Sequence, residues 1–154
     1  MNTTPQEIAN RLEHYKQGCL EAGLKLTYQR LIIMEELARS DGHPDAETVY
    51  LAAQQRIPMI SQDTVYRTLW LLHDLKLIES LGSNQDRLRF DANPNPHHHF
   101  VCSRCGATHD FYSDEFNHLN IPAAVTELGT VNITKVELRG LCKQCINEHN
   151  QQLT

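Results

Sequence analysis

Two Cys-x-x-Cys pairs, Cys102/Cys105 and Cys142/Cys145, bracket the C-terminal third of the chain, and the run Pro96-His97-His98-His99 comes just before the first. Four thiolates in two close pairs suit one tetrahedral zinc, because thiolate is a soft ligand and four of them close the coordination shell. The histidines are then left for a second metal. On a strand alternate side chains share a face, so His97 and His99 can point at one ion while His98 points away. Asp91 and Asp110 are the nearest carboxylates in sequence, and His43 lies far upstream in Gly42-His43-Pro44. If His43 and Asp91 join His97, His99 and Asp110, the site straddles two domains and binding fixes their relative orientation. Imidazole and carboxylate without thiolate suit Fe(II) or Mn(II) as well as Zn(II), so the donor set alone leaves the metal open.

The elements that must position these ligands change character along the chain. Residues 1–92 read as a helical domain ending in a hairpin, and residues 93–154 as a smaller α/β domain pinned by zinc, with Asn93-Pro94-Asn95-Pro96 as the hinge. A capping box at Thr4-Pro5-Gln6-Glu7 opens a first helix that runs to about Ala22 before Gly23 stops it. A second helix follows Thr27 and ends near Ser40-Asp41-Gly42; a third covers about Ala46 to Gln55. Ser61 caps a fourth, whose buried stripe is Val65, Leu69, Leu72 and Leu75, leaving Thr64, Tyr66, Arg67 and His73 off that face. Strands at about Leu77–Leu81 and Leu88–Phe90, joined by the turn Gly82-Ser83-Asn84-Gln85-Asp86, complete the order of a winged helix-turn-helix, in which the fourth helix enters the major groove. Further on, strands are predicted near His99–Cys102 and Thr108–Phe111, a helix around Ile121–Leu128, and a long strand over Val131–Leu141.

Bulk composition narrows the field. With 154 residues and 40% hydrophobic content the chain can form one ordinary domain or two small ones. No apolar run approaches the roughly 20 residues of a membrane span, and Met1-Asn2-Thr3-Thr4-Pro5 lacks the regions of a signal peptide. A cytoplasmic location is therefore expected, where reduced thiols favour metal over disulfides. Cys19, alone in a helical stretch, reads as a small buried hydrophobe. The net charge of −5 argues against an indiscriminate nucleic-acid binder but not against a specific one, since a single arginine-bearing helix can supply the contacts.

With these residues in hand, the chain resembles the ferric uptake regulator family of metal-dependent repressors over nearly its whole length. The matching signatures are Gly23-Leu24-Lys25-Leu26-Thr27-Tyr28-Gln29-Arg30, His43-Pro44, Thr64-Val65-Tyr66-Arg67-Thr68-Leu69, Arg89-Phe90-Asp91 and His97-His98-His99-Phe100-Val101-Cys102-x-x-Cys105-Gly106. The resemblance implies a homodimer that binds palindromic double-stranded operators when its regulatory metal is bound. It implies structural zinc on Cys102, Cys105, Cys142 and Cys145, a regulatory metal on His43, Asp91, His97, His99 and Asp110, and DNA contacts from Tyr28, Arg30, Ser61, Thr64, Tyr66 and Arg67. Aspartate at both 91 and 110 looks like the peroxide-sensing branch, in which iron-bound peroxide oxidises an imidazole ligand; His43 and His97 are the expected targets. An iron-responsive or zinc-responsive repressor of the same family is the alternative. A further metal site of some members is expected to be absent, because Asn117 and Thr134 stand near its ligand positions. Tyr28 replaces the proline usual before Gln29, so the second helix is expected to start on a slightly different turn.

Two other classes compete. A metal-assisted hydrolase would need a base beyond the ligands, and none is apparent. A zinc-ribbon adaptor would have no use for a second metal.

Overall fold

The computed structural model describes residues 3–40, 42–82 and 88–153. The chain forms two compact units, Met1–Pro94 and Asn95–Thr154.

The first unit holds helices α1 (Pro5–Glu21), α2 (Tyr28–Arg39), α3 (Ala46–Arg56) and α4 (Gln62–Asp74), then an antiparallel pair, β1 (Glu79–Leu81) and β2 (Arg89–Asp91). Every helix start is written in the sequence. Thr4 and Glu7 exchange side-chain and backbone hydrogen bonds at α1, and Thr27, Asp45 and Ser61 each accept an amide of the first turn of the next three helices. Thr27 caps an ordinary turn with Tyr28 as its first residue, so the missing proline costs α2 nothing in geometry. Gly23, at φ +77°, takes the left-handed position after α1. Lys76, at φ +60°, does the same after α4: its N–H donates to the His73 carbonyl while Leu77 N–H reaches back to Leu72. This closure turns Leu77 and Ile78 into the core rather than into a strand, which is why β1 starts at Glu79 and not at Leu77. The second strand is shifted likewise, to Arg89–Asp91. The expected hairpin turn over 83–86, and Asp41 after α2, lie outside the described residues.

The core of this unit is apolar. Tyr15 and Cys19 of α1, Ile33, Met34 and Leu37 of α2, Val65, Leu69 and Leu72 of α4, and Phe90 of β2 are all sealed from solvent. Cys19 is thus the packing residue expected. Leu75 is only half-buried, and Thr68, which bonds back to the Thr64 carbonyl at 2.8 Å, shares the buried stripe instead.

The second unit has β3 (His98–Cys102) at the centre of a three-stranded sheet, with β4 (Thr108–Phe111) antiparallel on one side and β5 (Glu137–Gly140) parallel on the other. Single turns α5 (Asp114–Asn117) and α6 (Ala123–Thr126) lie between β4 and β5, and α7 (Lys143–Gln152) follows. The long strand predicted over Val131–Leu141 is thus confined to four residues. Because β3 begins at His98 and its ladder with β5 opens at His99 and Val136, the chain before Val136 has no part of β3 beside it. The predicted helix over Ile121–Leu128 shrinks to one turn, since Pro122 as cap accepts nothing with its side chain and Val125 and Thr126 are poor formers. Neither α5 nor α7 is signalled by an apolar stripe.

Close packing at Gly18, in the last turn of α1, yields a test. A Cβ there would press into both Leu77 methyls and sit 3.0 Å from its Cγ, and Leu77 is buried. Gly18→Val is expected to lower unfolding free energy by about 3 kcal/mol, overpacking outweighing any gain in helix propensity; chemical denaturation of the two proteins measures it.

Candidate metal centres

Cys102 ends β3, and the chain turns back to β4 through a knuckle in which Gly106 N–H donates to the Cys102 carbonyl at 2.9 Å. That turn needs a left-handed residue, and Gly106 sits at φ +76°. The other pair opens α7: Cys142 is its N-cap and Cys145 lies in its first turn. The halves are tied by Ser103 N–H and Oγ to the Gly140 carbonyl, by Arg104 to the Cys145 carbonyl, and by Cys142 N–H to Cys102 Sγ at 3.4 Å. All four sulfurs lie within 4.8 Å of one another, and Cys105 and Cys142 are 3.8 Å apart. A tetrahedron with zinc–sulfur bonds of about 2.3 Å has edges of roughly 3.8 Å, so the spacing fits the ion.

The acid–base chemistry of the cluster points the same way. Amide donors, Cys105's first and then Cys142's, hold the Cys102 thiol down at about 6. Burial and then the neighbouring cysteines push Cys145 up to about 12. One thiolate is favoured by the fold and the next is opposed by it. A divalent cation at the centre removes that opposition.

A second set of donors converges in the same unit. The register of β3 against β4 sets His99 directly opposite Asp110, and their Nε2 and Oδ1 atoms are 3.2 Å apart. His97 Nε2 lies 3.1 Å from His99 Nε2 and 3.8 Å from the same carboxylate oxygen. At 2.5 Å the Asn95 carbonyl accepts from His97 Nδ1, which leaves Nε2 with its lone pair turned toward His99. Both imidazoles are buried. His98 faces the other way, between Phe111 and Phe116. Its Nδ1 accepts Val136 N–H at 3.1 Å and its Nε2–H donates to Asn117 Oδ1 at 2.8 Å, so both ring nitrogens are committed.

The first unit carries two more of the expected ligands. Asp91 ends β2 and is buried, and a His43 ring nitrogen and an Asp91 carboxylate oxygen fall within the same 4.8 Å limit. Backbone pairing brings them together: Phe90 N–H donates to the Pro44 carbonyl at 2.8 Å, and Asp45 forms a β-bridge with Arg89. Asp45 also caps α3, so its neighbour His43 is fixed at a helix start. Behind Asp91, the buried Tyr15 hydroxyl donates to the Ala92 carbonyl, and burial, with the Asp91 charge adding to it, pushes the Tyr15 pKa well above the usual range. The Tyr15 and Asp45 contacts have no motif in the sequence to announce them.

Along the DNA-contact set, Tyr66 and Arg67 of α4 stand out into solvent, as does Tyr28. Ser61 and Thr64 share a 2.8 Å hydroxyl contact at the N-terminus of α4, where free amides suit a phosphate. Arg30 donates from Nη1 to the Lys25 carbonyl, which pins its guanidinium beside the start of α2.

The ferric uptake regulator family model matches residues 21–139. The chain belongs to that family. The peroxide-responsive repressor PerR of Staphylococcus epidermidis is 31% identical over 150 residues, covering 97% of this chain and 100% of that one. The structure of the Campylobacter jejuni peroxide stress regulator superposes with a TM-score of 0.62 at 25% identity, covering 87% and 98% of the two chains. The Helicobacter pylori ferric uptake regulator Fur shares the fold at a TM-score of 0.69 and 23% identity, over 90% and 93%. The fold is therefore that of the family: α+β, a winged helix-turn-helix followed by a small α/β domain. The thiolate cluster suits structural zinc, and the histidine and aspartate donors suit the Fe(II) or Mn(II) of a regulatory site.

Cys102→Ser removes the sulfur whose thiolate form the surrounding amides favour. We expect loss of zinc by elemental analysis together with unfolding of the second unit, because structural zinc contributes directly to folding; a zinc-bound variant of unchanged melting temperature would refute the four-thiolate site.

Proposed function

We propose that the chain is a metal-dependent, DNA-binding transcriptional repressor of the peroxide-responsive kind, acting as a cytoplasmic homodimer and not as an enzyme. The reading is carried by the Nε2 atoms of His97 and His99 converging beside the Asp110 carboxylate, a buried imidazole and carboxylate donor set of the kind that a divalent cation takes. His43 and Asp91 complete the same ion, with one ligand group from each unit, and zinc holds Cys102, Cys105, Cys142 and Cys145. The resemblance to peroxide-responsive relatives supports aspartate, rather than glutamate, as the functional choice at 91.

Shared ligation links metal to DNA by population shift: an ion that needs donors from both units favours the arrangement in which both are presented. In that arrangement the two α4 helices of a dimer reach successive major grooves, with Arg67 and Tyr66 on bases and Tyr28, Arg30, Ser61 and Thr64 on phosphates or bases. The apolar side chains left exposed in the second unit, among them Leu128, Val131, Ile133, Leu138 and Leu141, support a partner copy on that unit. No helix of the described residues is long and apolar enough to cross a membrane.

Ferrous iron held at the histidine–aspartate site would supply the electrons that split peroxide. His43 and His97 would be the imidazoles placed to take up an oxygen from it, and loss of that ligand would release the operator.

The test is anaerobic loading of the zinc protein with Fe(II) or Mn(II), dilute peroxide, then measurement of retained duplex selected from a random pool. Iron-loaded protein is expected to lose DNA and gain an oxygen on His43 or His97 by mass spectrometry, and the manganese form to keep both unchanged. Iron-loaded protein that keeps its DNA with unmodified histidines would return the iron-responsive repressor to first place.

The ligand set has its own check. Asp91→Ala and His99→Ala are expected to remain folded, zinc-containing dimers whose DNA binding no longer responds to added Mn(II), by fluorescence anisotropy.

A further inference from the structure

The helix assigned to the major groove carries an acid beside its base-reading arginine. Asp63 and Arg67 are one turn apart on α4, and Asp63 Oδ2 accepts from Arg67 Nε at 2.9 Å. Both side chains are largely exposed, at 67% and 79%, so the pair adds little to stability. Its effect is on what Arg67 can do.

Two consequences follow from which nitrogen is engaged. A guanidinium held through Nε keeps its outer Nη1/Nη2 edge free, with fewer rotamers to sample, and that edge matches the O6 and N7 acceptors of guanine. The carboxylate also offsets the arginine charge. A phosphate attracts mainly through charge, whereas a base edge is recognised through paired hydrogen bonds, so neutralising the arginine weakens the first contact more than the second. Nearby, Glu47 of α3 lines with Asp63, Tyr50 and Tyr66 an open hollow between the two helix starts, so the flank of the reading face is acidic as well.

We propose that Asp63 is a specificity-determining residue, which holds Arg67 in an end-on, charge-compensated pose that reads guanine and discriminates against the phosphate backbone. The proposal rests on the reading of α4 as the groove-entering helix.

The experiment uses the full-length, zinc-containing, Mn(II)-loaded protein and a pool of duplexes with random sequence, sequenced before and after retention. Wild type is expected to enrich guanine at one position in each half-site, and Arg67→Ala to lose that enrichment. Asp63→Asn, which keeps shape and removes charge, is expected to reduce the guanine preference about tenfold while retaining more of the unselected pool. Its affinity is also expected to fall more steeply with salt, the slope of log affinity on log salt growing by about one for one added phosphate contact. Asp63→Glu restores the pair across one helical turn and is expected to restore the preference. Guanine preference and salt slope in Asp63→Asn equal to those of wild type would overturn the proposal alone. Wild type that retains no duplex with or without Mn(II) would overturn the repressor reading and this inference together.

Discussion

Among the described residues, the side chains buried in the second unit are His97, His98, His99, Cys102 and Cys145. Apart from His98, whose ring nitrogens are both hydrogen-bonded, these are candidate metal donors, and no apolar side chain other than the cysteines is among them. A unit this small buries too little hydrocarbon to offset its chain entropy, so another term must supply the difference. Cation binding by ionised thiolates would supply it at the knuckle, where Cys102 and Cys105 meet Cys142 and Cys145 at the start of α7. The remaining apolar side chains, Leu128, Ile133 and Leu138 among them, face outward, where the proposed function places a second copy.

The first unit is built on the opposite principle. Its core is hydrocarbon sealed around Tyr15, Met34, Leu69 and Phe90, and it needs no ion to close. His43 and Asp91, which the proposed function assigns to a metal, are therefore held ready-made. Pairing of Phe90 with Pro44, the Asp45 bridge to Arg89, and the Asp45 cap on α3 place His43 and Asp91 together as by-products of closing the domain. Ligands preorganised in this way would cost little conformational entropy at the moment of binding.

These two principles explain how far the sequence could be read. Thr4/Glu7, Thr27 and Ser61 act over three residues, so helix starts in the first unit were legible, as were the stripe of α4 and the alternation that separates His98 from His97 and His99. The cysteine spacing announced its chemistry because ligand geometry is local. The second unit's other elements were not legible in the same way. The helix α7 has no apolar stripe, being set by Cys142 and Cys145, and β5 stops where β3 stops, a fact of pairing that no propensity contains. The second turn of legibility is lost at long range: the Tyr15 bond to Ala92 spans most of the first unit, and the role of His98 depends on Asn117 and Val136, which its own neighbours do not reveal.

Charge completes the physical picture of a switch. The DNA-reading unit, Met1–Pro94, has thirteen acidic residues against ten basic, a net charge of −3. Attraction to phosphate supplies most of the affinity of unspecific binding, so a unit of this sign holds that background low. On the proposed function, affinity then comes from correctly placed contacts made by two α4 helices at once, and those contacts are what the regulatory metal would control. A coupling free energy of about 1 to 3 kcal/mol, ordinary for allosteric proteins, changes occupancy by about five- to 150-fold when the uncoupled state scarcely binds. The same coupling on a strongly basic unit would be hidden beneath salt-dependent binding to any sequence. On the proposed function, an acidic reading head is therefore what would allow the loss of one metal ion to be a sufficient signal.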